Sequence, residues 1–246
     1  MLPLNELVKC KVNGIDVFDA TTFLEFESGR LRIDNINPSS IIFSFGFSRN
    51  KFKYSVKRIS DITLASLLLI ATLPISIATA LLIRFTSSGP VFYWQTRVGE
   101  GNEEFRLVKF RSMSCDSEAD NKPQWAKRDD DRITVVGRII RRLHIDEIPQ
   151  VYNVLKGDMS MVGPRPERPF FVDKLNESIR YYRIRHSVKP GITGWSQIKC
   201  PYGSSEKDAL RKLEYDIFYL KNQNFLFDLI ILIRTVDIVV FRFGSR

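Results

Sequence analysis

Histidine and cysteine are scarce in this chain: two histidines, His144 and His186, and three cysteines, Cys10, Cys115 and Cys200, in 246 residues. The cysteines are odd in number, far apart and without a C-x-x-C pair. That argues against a disulfide framework and against a zinc site, and it fits a reducing compartment. The histidines stand 42 positions apart, so a histidine-built metal site is disfavoured as well. Any metal would take oxygen ligands, which points to magnesium or manganese. Long apolar runs are also scarce. One stretch, Ile62 to Ile83, has 22 residues without a charge, long enough to cross a hydrocarbon core. The first apolar stretches of the chain are short and carry charges, so no secretory signal is expected.

Positive charge, by contrast, is in excess. A formal net charge of +9 points to an anionic partner such as nucleic acid, lipid headgroups or a nucleotide. Lys51, Lys53, Lys57 and Arg58 precede the apolar run and Arg84 follows it. Pro74 falls near its middle, where a proline removes a helical hydrogen bond. Basic residues at both ends suit either a kinked helix that crosses the membrane or one that dips in, breaks at Pro74 and returns.

Before this run, Ile15 to Phe18, Thr22 to Glu27 and Ile41 to Phe45 read as short strands between turn signals. After it, Val91 to Gln95 and Phe105 to Met113 read as a hairpin on which Lys109 and Arg111, two positions apart, share a face. Cys115 to Asp131 reads as a polar surface loop or short amphipathic helix, with Asp129, Asp130 and Asp131 a solvated acidic cluster. Ile133 to Leu143 has helical periodicity and carries Arg138, Arg141 and Arg142. Phe171 to His186 and Ser205 to Lys221 also read as helices. Phe225 to Val240 is apolar but interrupted by Asp228, Arg234 and Asp237, which suits a helix lying in an interface or packed on the core.

The most informative stretch is His144 to Phe170. It brings an adjacent carboxylate pair (Asp146, Glu147), a third carboxylate (Asp158), a glycine (Gly157) and a proline-stiffened arginine (Arg165 between Pro164 and Pro166) into one segment. Asp146 is placed as a helix N-cap, Pro149 in the first turn, and Gly157 as the stop after Lys156. Carboxylates at a helix start sit at the positive end of its dipole, which also draws phosphate. Neighbours i and i+1 do not share a helix face, so one carboxylate can attack while the other holds a metal. Arginine suits phosphate through its planar fork. A second reading from another class is a membrane-anchored, non-enzymatic module whose basic face binds anionic lipid or nucleic acid.

In order along the chain, Lys57-Arg58 with Asp61, KFRSM (Lys109 to Met113), IDEIPQ (Ile145 to Gln150), NVLKGDMS (Asn153 to Ser160), GPRP (Gly163 to Pro166) and KPGITGWSQ (Lys189 to Gln197) resemble the bacterial sugar transferases. These are monotopic phosphoglycosyl transferases that start exopolysaccharide and glycan assembly on polyprenyl phosphate. ERPFF (Glu167 to Phe171) and PYG (Pro201 to Gly203) resemble the exopolysaccharide branch associated with exosortase systems. The resemblance implies an α/β, mostly helical fold: a small β-hairpin or sheet, amphipathic helices and one N-terminal re-entrant or spanning membrane helix broken at Pro74. It divides the chain into residues 1–50, the tail of an upstream nucleotide-fold-like domain; 51–86, the membrane-inserted helix; and 87–246, the catalytic domain.

The implied reaction moves a sugar phosphate from a UDP-sugar to polyprenyl phosphate and releases UMP. Asp146 matches the nucleophile that carries the phosphosugar, and Glu147 its catalytic partner and magnesium ligand. Lys109, Arg111, Arg141, Asp158 and Arg165 match positions around the phosphates. Membrane lipid and, for a homo-oligomer, a second copy are further implied partners, and nucleic acid is not. The implied location is the bacterial inner membrane with the catalytic domain facing the cytoplasm. One departure concerns the membrane helix: family members often have Ser-Pro at the break, and this chain has Leu73-Pro74, with Thr72 the nearest hydroxyl. No motif encodes the identity of the sugar.

Overall fold

The structure, a computed structural model, describes residues 3–33, 51–114, 132–200, 203 and 205–241. The expected strand at Ile41 to Phe45, the loop at Cys115 to Asp131, and Pro201 and Tyr202 of the PYG motif lie outside the described residues. Two short helices come first, α1 (Leu4–Val12) and α2 (Ala20–Ser28). The expected strand at Thr22 to Glu27 is therefore helical, and Ile15 to Phe18 is irregular. The reason lies at the ends of α2. The Asp19 carboxylate accepts from the backbone N–H of Thr22 at 2.6 Å, and Gly29 stops the helix in the left-handed region, two signals that outweigh the β-branched and aromatic content between them.

The apolar run lies within one 36-residue helix, α3 (Lys51–Thr86). Among the described residues it is the one helix long and apolar enough to cross a membrane. Pro74 sits inside it without interrupting the helix. Proline removes one N–H, a loss that the turns on either side can bridge with a kink. The Thr72 hydroxyl donates to the Leu68 carbonyl at 2.7 Å, rather than to the Ile70 carbonyl that Pro74 leaves unmatched.

The hairpin forms as expected, with β1 (Phe92–Val98) antiparallel to β2 (Glu104–Phe110) and Tyr93 opposite Lys109. Arg111 falls past the end of β2 and turns away from Lys109. Helix α4 (Val135–Arg142) is N-capped by Thr134. A 3-10 turn, Ile145–Gln150, then leads into α5 (Val151–Lys156). The N-cap of that turn is His144, in the left-handed region at φ 56°. Asp146 therefore lies inside the turn and does not cap it. Gly157, at φ 102°, ends α5 as expected.

A second sheet, which nothing in the sequence announced, pairs β3 (Ser160–Val162) in parallel with β4 (Gly191–Thr193). Its closeness depends on glycine: a Cβ on Gly163 would lie 2.4 Å from the Lys189 carbonyl oxygen. The helix expected over Phe171 to His186 divides into α6 (Pro169–Ser178) and a 3-10 helix, Tyr182–Ser187, separated by Tyr181 at φ 65°. The chain closes with α7 (Trp195–Lys199), α8 (Glu206–Asn222), which begins with a Ser205–Asp208 capping box, and α9 (Phe225–Phe241).

The main core gathers Leu107, Val151, Val154, Met159, Val162, Trp195, Tyr219 and Ile231, with Ala65 contributed by α3. Full burial of an aliphatic side chain such as Ile231 contributes roughly 1.5–3 kcal/mol, which seats the inner face of α9. Its outer face leaves Leu226, Ile230 and Ile233 exposed, and α3 likewise leaves Leu67, Ile70 and Leu81 exposed.

Candidate active site

Two separate elements converge on Glu147. Lys109 reaches it from β2, with Nζ donating to Oε1 at 2.7 Å. Arg165 reaches it from the loop after β3: Nη2 donates to Oε1 at 2.6 Å and Nη1 to Oε2 at 3.4 Å. Arg165 Nη1 also donates to Gln197 Oε1 on α7 at 2.9 Å. Burial alone would push the Glu147 carboxyl up, but the Arg165 and Lys109 charges prevail and hold it well below the usual carboxylate range. The Lys109 ammonium is pushed down by burial, against the opposing pull of Glu147.

Asp146 is buried, at 8% exposure, and its carboxylate accepts no hydrogen bond among the described residues. Burial raises its pKa and the Glu147 charge adds to the rise, while Lys109, Arg141 and His144 oppose it. The adjacent carboxylates thus have opposite environments: Glu147 is clamped and ionised, and Asp146 is close to cations but unbonded. Arg141, in the last turn of α4, contributes charge to this site from a partly buried position.

Two candidate residues are engaged elsewhere. Arg111 Nη1 donates to the Ser88 carbonyl at 2.7 Å and Nη2 to the Ser87 carbonyl at 3.0 Å, tying the hairpin to the end of α3. Asp158 accepts from Lys156 Nζ at 2.8 Å and from Asn153 Nδ2 at 3.3 Å, at the end of α5. Sequence reasoning missed Asn153 itself. Fully buried, it accepts from the Val108 N–H and donates to the Arg106 carbonyl, fixing β2, and so Lys109, against the carboxylate-bearing segment.

The Arg165 loop is held through its carbonyls. Lys57 Nζ and the Tyr219 hydroxyl donate to Val162 O, both at 3.1 Å. Arg185 Nη2 donates to Arg165 O at 3.0 Å, and Arg97 Nη1 to Pro166 O, also at 3.0 Å. Arg185 is in turn paired with Asp216 at 2.8 Å, both side chains almost wholly buried. Asp216 lies with Leu213, Ile217 and Leu220 on the core face of α8. A lone charge on an apolar helical face was the available signal for a buried partner. His186 stands outside the cluster. Burial and then the Arg185 and Arg183 charges push its imidazole down to about 3, so it stays neutral, with Nδ1 2.9 Å from Asn102 Oδ1.

Residues 52–242 match the family described as bacterial sugar transferase. The chain belongs to the bacterial sugar transferase family. It is 39% identical, over 98% of its length, to the UDP-N-acetylgalactosamine-undecaprenyl-phosphate N-acetylgalactosaminephosphotransferase of Aeromonas hydrophila, and covers 56% of that protein. It is 38% identical, over 95% of its length, to the UDP-glucose:undecaprenyl-phosphate glucose-1-phosphate transferase of Klebsiella pneumoniae, and covers 50% of it. Against the uncharacterized sugar transferase EpsL of Bacillus subtilis it is 42% identical over 78% of its length, covering 90% of that transferase. The chain therefore spans about half the length of the first two relatives and most of the third. As a bacterial sugar transferase it carries the Asp146–Glu147 cluster, the arginine loop and, but for its first residue, the apolar helix α3 inside the matched region.

Proposed function

We propose that this protein transfers a sugar phosphate from a UDP-sugar to polyprenyl (undecaprenyl) phosphate, through a covalent phosphosugar on Asp146. The observation that carries the reading is the contrast between the two carboxylates: a clamped, ionised Glu147 beside an unbonded Asp146 among cations. An Asp146 oxygen attacks the phosphorus bonded to the sugar, and the bond from that phosphorus to the bridging oxygen breaks. UMP leaves with the electron pair. A phosphate oxygen of the acceptor then attacks the same phosphorus and displaces the carboxylate, so one difficult displacement becomes two easier ones. Lys109, Arg141 and Arg165 supply positive charge where negative charge gathers on the transferring group.

The donor set suits magnesium. Among the described residues Glu147 Oε2 accepts a single long contact at 3.4 Å and Asp146 accepts none, which leaves hard carboxylate oxygens for an ion that takes one or two carboxylates and completes its shell with water and substrate phosphates. Glu147, with Asp146 beside it, would hold the ion. When bound, it would neutralise diphosphate charge and stabilise the leaving oxygen.

Membrane seating follows from how α3 is held. Near its start, Lys57 pairs with Asp228 at 2.7 Å, and Arg58 donates to the Val154 and Leu155 carbonyls. At its end, Arg111 binds the Ser87 and Ser88 carbonyls. A straight crossing would require one domain to occupy both faces of the bilayer. A helix bent at Pro74 so that it enters and leaves on one side, in this reading the cytoplasmic face of the bacterial inner membrane, would satisfy both sets of contacts.

The test is UMP release by the detergent-solubilised protein with magnesium, over a panel of UDP-sugars, with and without polyprenyl phosphate. Acceptor-dependent UMP from one or a few donors is expected, and none from any donor would overturn the reading. The names of the two substrate-specific relatives differ in the sugar, so the panel must include both UDP-glucose and UDP-N-acetylgalactosamine. A further expectation concerns Asp216 as a positioning residue. Asp216→Asn leaves Arg185 buried without its counter-charge, which costs about 3–5 kcal/mol, and frees the Arg165 backbone. A displacement of about 1 Å can lower a rate by about 10²-fold. Melting temperature and UMP release should fall together, and an unchanged rate in the folded fraction would show that Arg165 does not need this support.

A further inference from the structure

A groove of about 420 Å³ opens between the first half of α3 and the start of α9, floored by β3. We propose that it holds the phosphate-proximal isoprene units of the acceptor's polyprenyl chain, an inference that rests on the transferase reading above. Its size falls within the roughly 300–1,000 Å³ usual for small-molecule sites. Ile59, Leu64, Leu229 and Leu232 form the walls, and Met161 and Val162 the floor.

Most polar groups of the lining already have partners within the protein. Ser60 and Thr63 donate to the Lys57 and Ile59 carbonyls. Asp61 accepts from the Ser160 hydroxyl and the Met161 N–H, and Asp228 from Lys57 and Tyr219. A peptide or sugar entering here would exchange water for walls that offer few free partners, at the cost of burying unpaired polar atoms. An alkyl chain loses nothing.

Access and direction point the same way. The two helices that wall the groove are those with exposed apolar outer faces, at Ile62 and Leu67 on α3 and at Ile230 and Ile233 on α9, so the groove opens where lipid would lie. Its floor residue Val162 is followed three positions later by Arg165, at most about 11 Å along the chain. A prenyl chain lying in the groove would thus bring its phosphate toward the cations that surround Asp146.

The experiment compares Ile59→Trp and Leu229→Trp, at exposed positions that line the groove, with Leu226→Trp, a comparably exposed position on α9 outside its lining. The groove variants should raise the KM for undecaprenyl phosphate by about tenfold or more, the worth of roughly two displaced methylene groups. UMP formed in the absence of acceptor should not change, and Leu226→Trp should match the wild type. An unchanged acceptor KM in both groove variants, or an equal rise in Leu226→Trp, overturns the groove while leaving the transferase intact. Irradiating the wild type with a diazirine-bearing farnesyl phosphate tests occupancy without turnover. Label on residues 56–64 and 225–232 is expected, and label confined to other segments overturns the proposal.

Discussion

Asp146→Asn is expected to abolish turnover, by on the order of 10⁴-fold or more, in a protein that folds as well as the wild type. Asparagine has nearly the same shape, and because the Asp146 carboxylate accepts no hydrogen bond among the described residues, the exchange breaks none. Burial holds the Asp146 pKa above its ordinary value, so between the unfolded and folded pKa values the folded state binds more protons. Stability therefore falls as pH rises through that window. Asparagine removes this loss. In chelator-containing buffer the variant should melt no lower than the wild type at neutral pH, with any advantage fading toward acid. With a sugar-labelled UDP donor and no acceptor, the wild type should retain label covalently and the variant none. Near-normal UMP release by the variant would remove Asp146 from the role of nucleophile, and inactivity with a clearly lowered melting temperature would assign it to folding.

How much of this site could be read in the sequence depends on which forces place each residue. Lys109, Glu147 and Arg165 are separated by 38 and 18 positions, yet each sits in a segment with a strong local signal: an alternating strand, a turn before a glycine-stopped helix, and a proline-stiffened loop. Local signals also gave α3, α4 and α8. What escaped had weak local signals and strong tertiary ones. β3 and β4 are three residues each, too short for alternation to register, and their pairing depends on the backbone approach that Gly163 and Gly191 permit. The break at Tyr181 carries no proline or glycine. It is set by the burial of Ile179 and Tyr182 in the second core cluster, which overrides a continuous helical pattern. At α2 the reverse happened: Asp19 and Gly29 marked both ends, but the residues between them resembled a strand. Arg111 shows the limit of face arguments, because two residues share a face only while the strand lasts, and β2 ends at Phe110.

Glu147→Gln should slow the reaction by about 10²–10³-fold, the usual loss when a fixed electrostatic contact at the reacting group is removed, and here the stability consequence is the more diagnostic one. Glutamine keeps the shape but leaves Lys109 and Arg165 without their shared counter-charge. Removing one partner of a buried pair costs about 3–5 kcal/mol. The Arg165 side chain is 42% exposed, so water screens part of the loss and about 2–3 kcal/mol is the better expectation. The pH dependence separates this effect from generic damage. Arg165 and Lys109 hold the Glu147 pKa below its ordinary value in the folded state, so its contribution is complete above the unfolded glutamate pKa and is lost as pH falls through the folded one. In chelator-containing buffer, melting temperatures of wild type and Glu147→Gln should therefore differ most near neutrality and converge in acid. A gap that stayed constant down through the acid range would mean that the clamp is not electrostatic. The two-carboxylate account would then have to be rebuilt around Asp146 alone, because an uncharged Glu147 could neither serve Arg165 as a counter-charge nor supply magnesium with a charged oxygen.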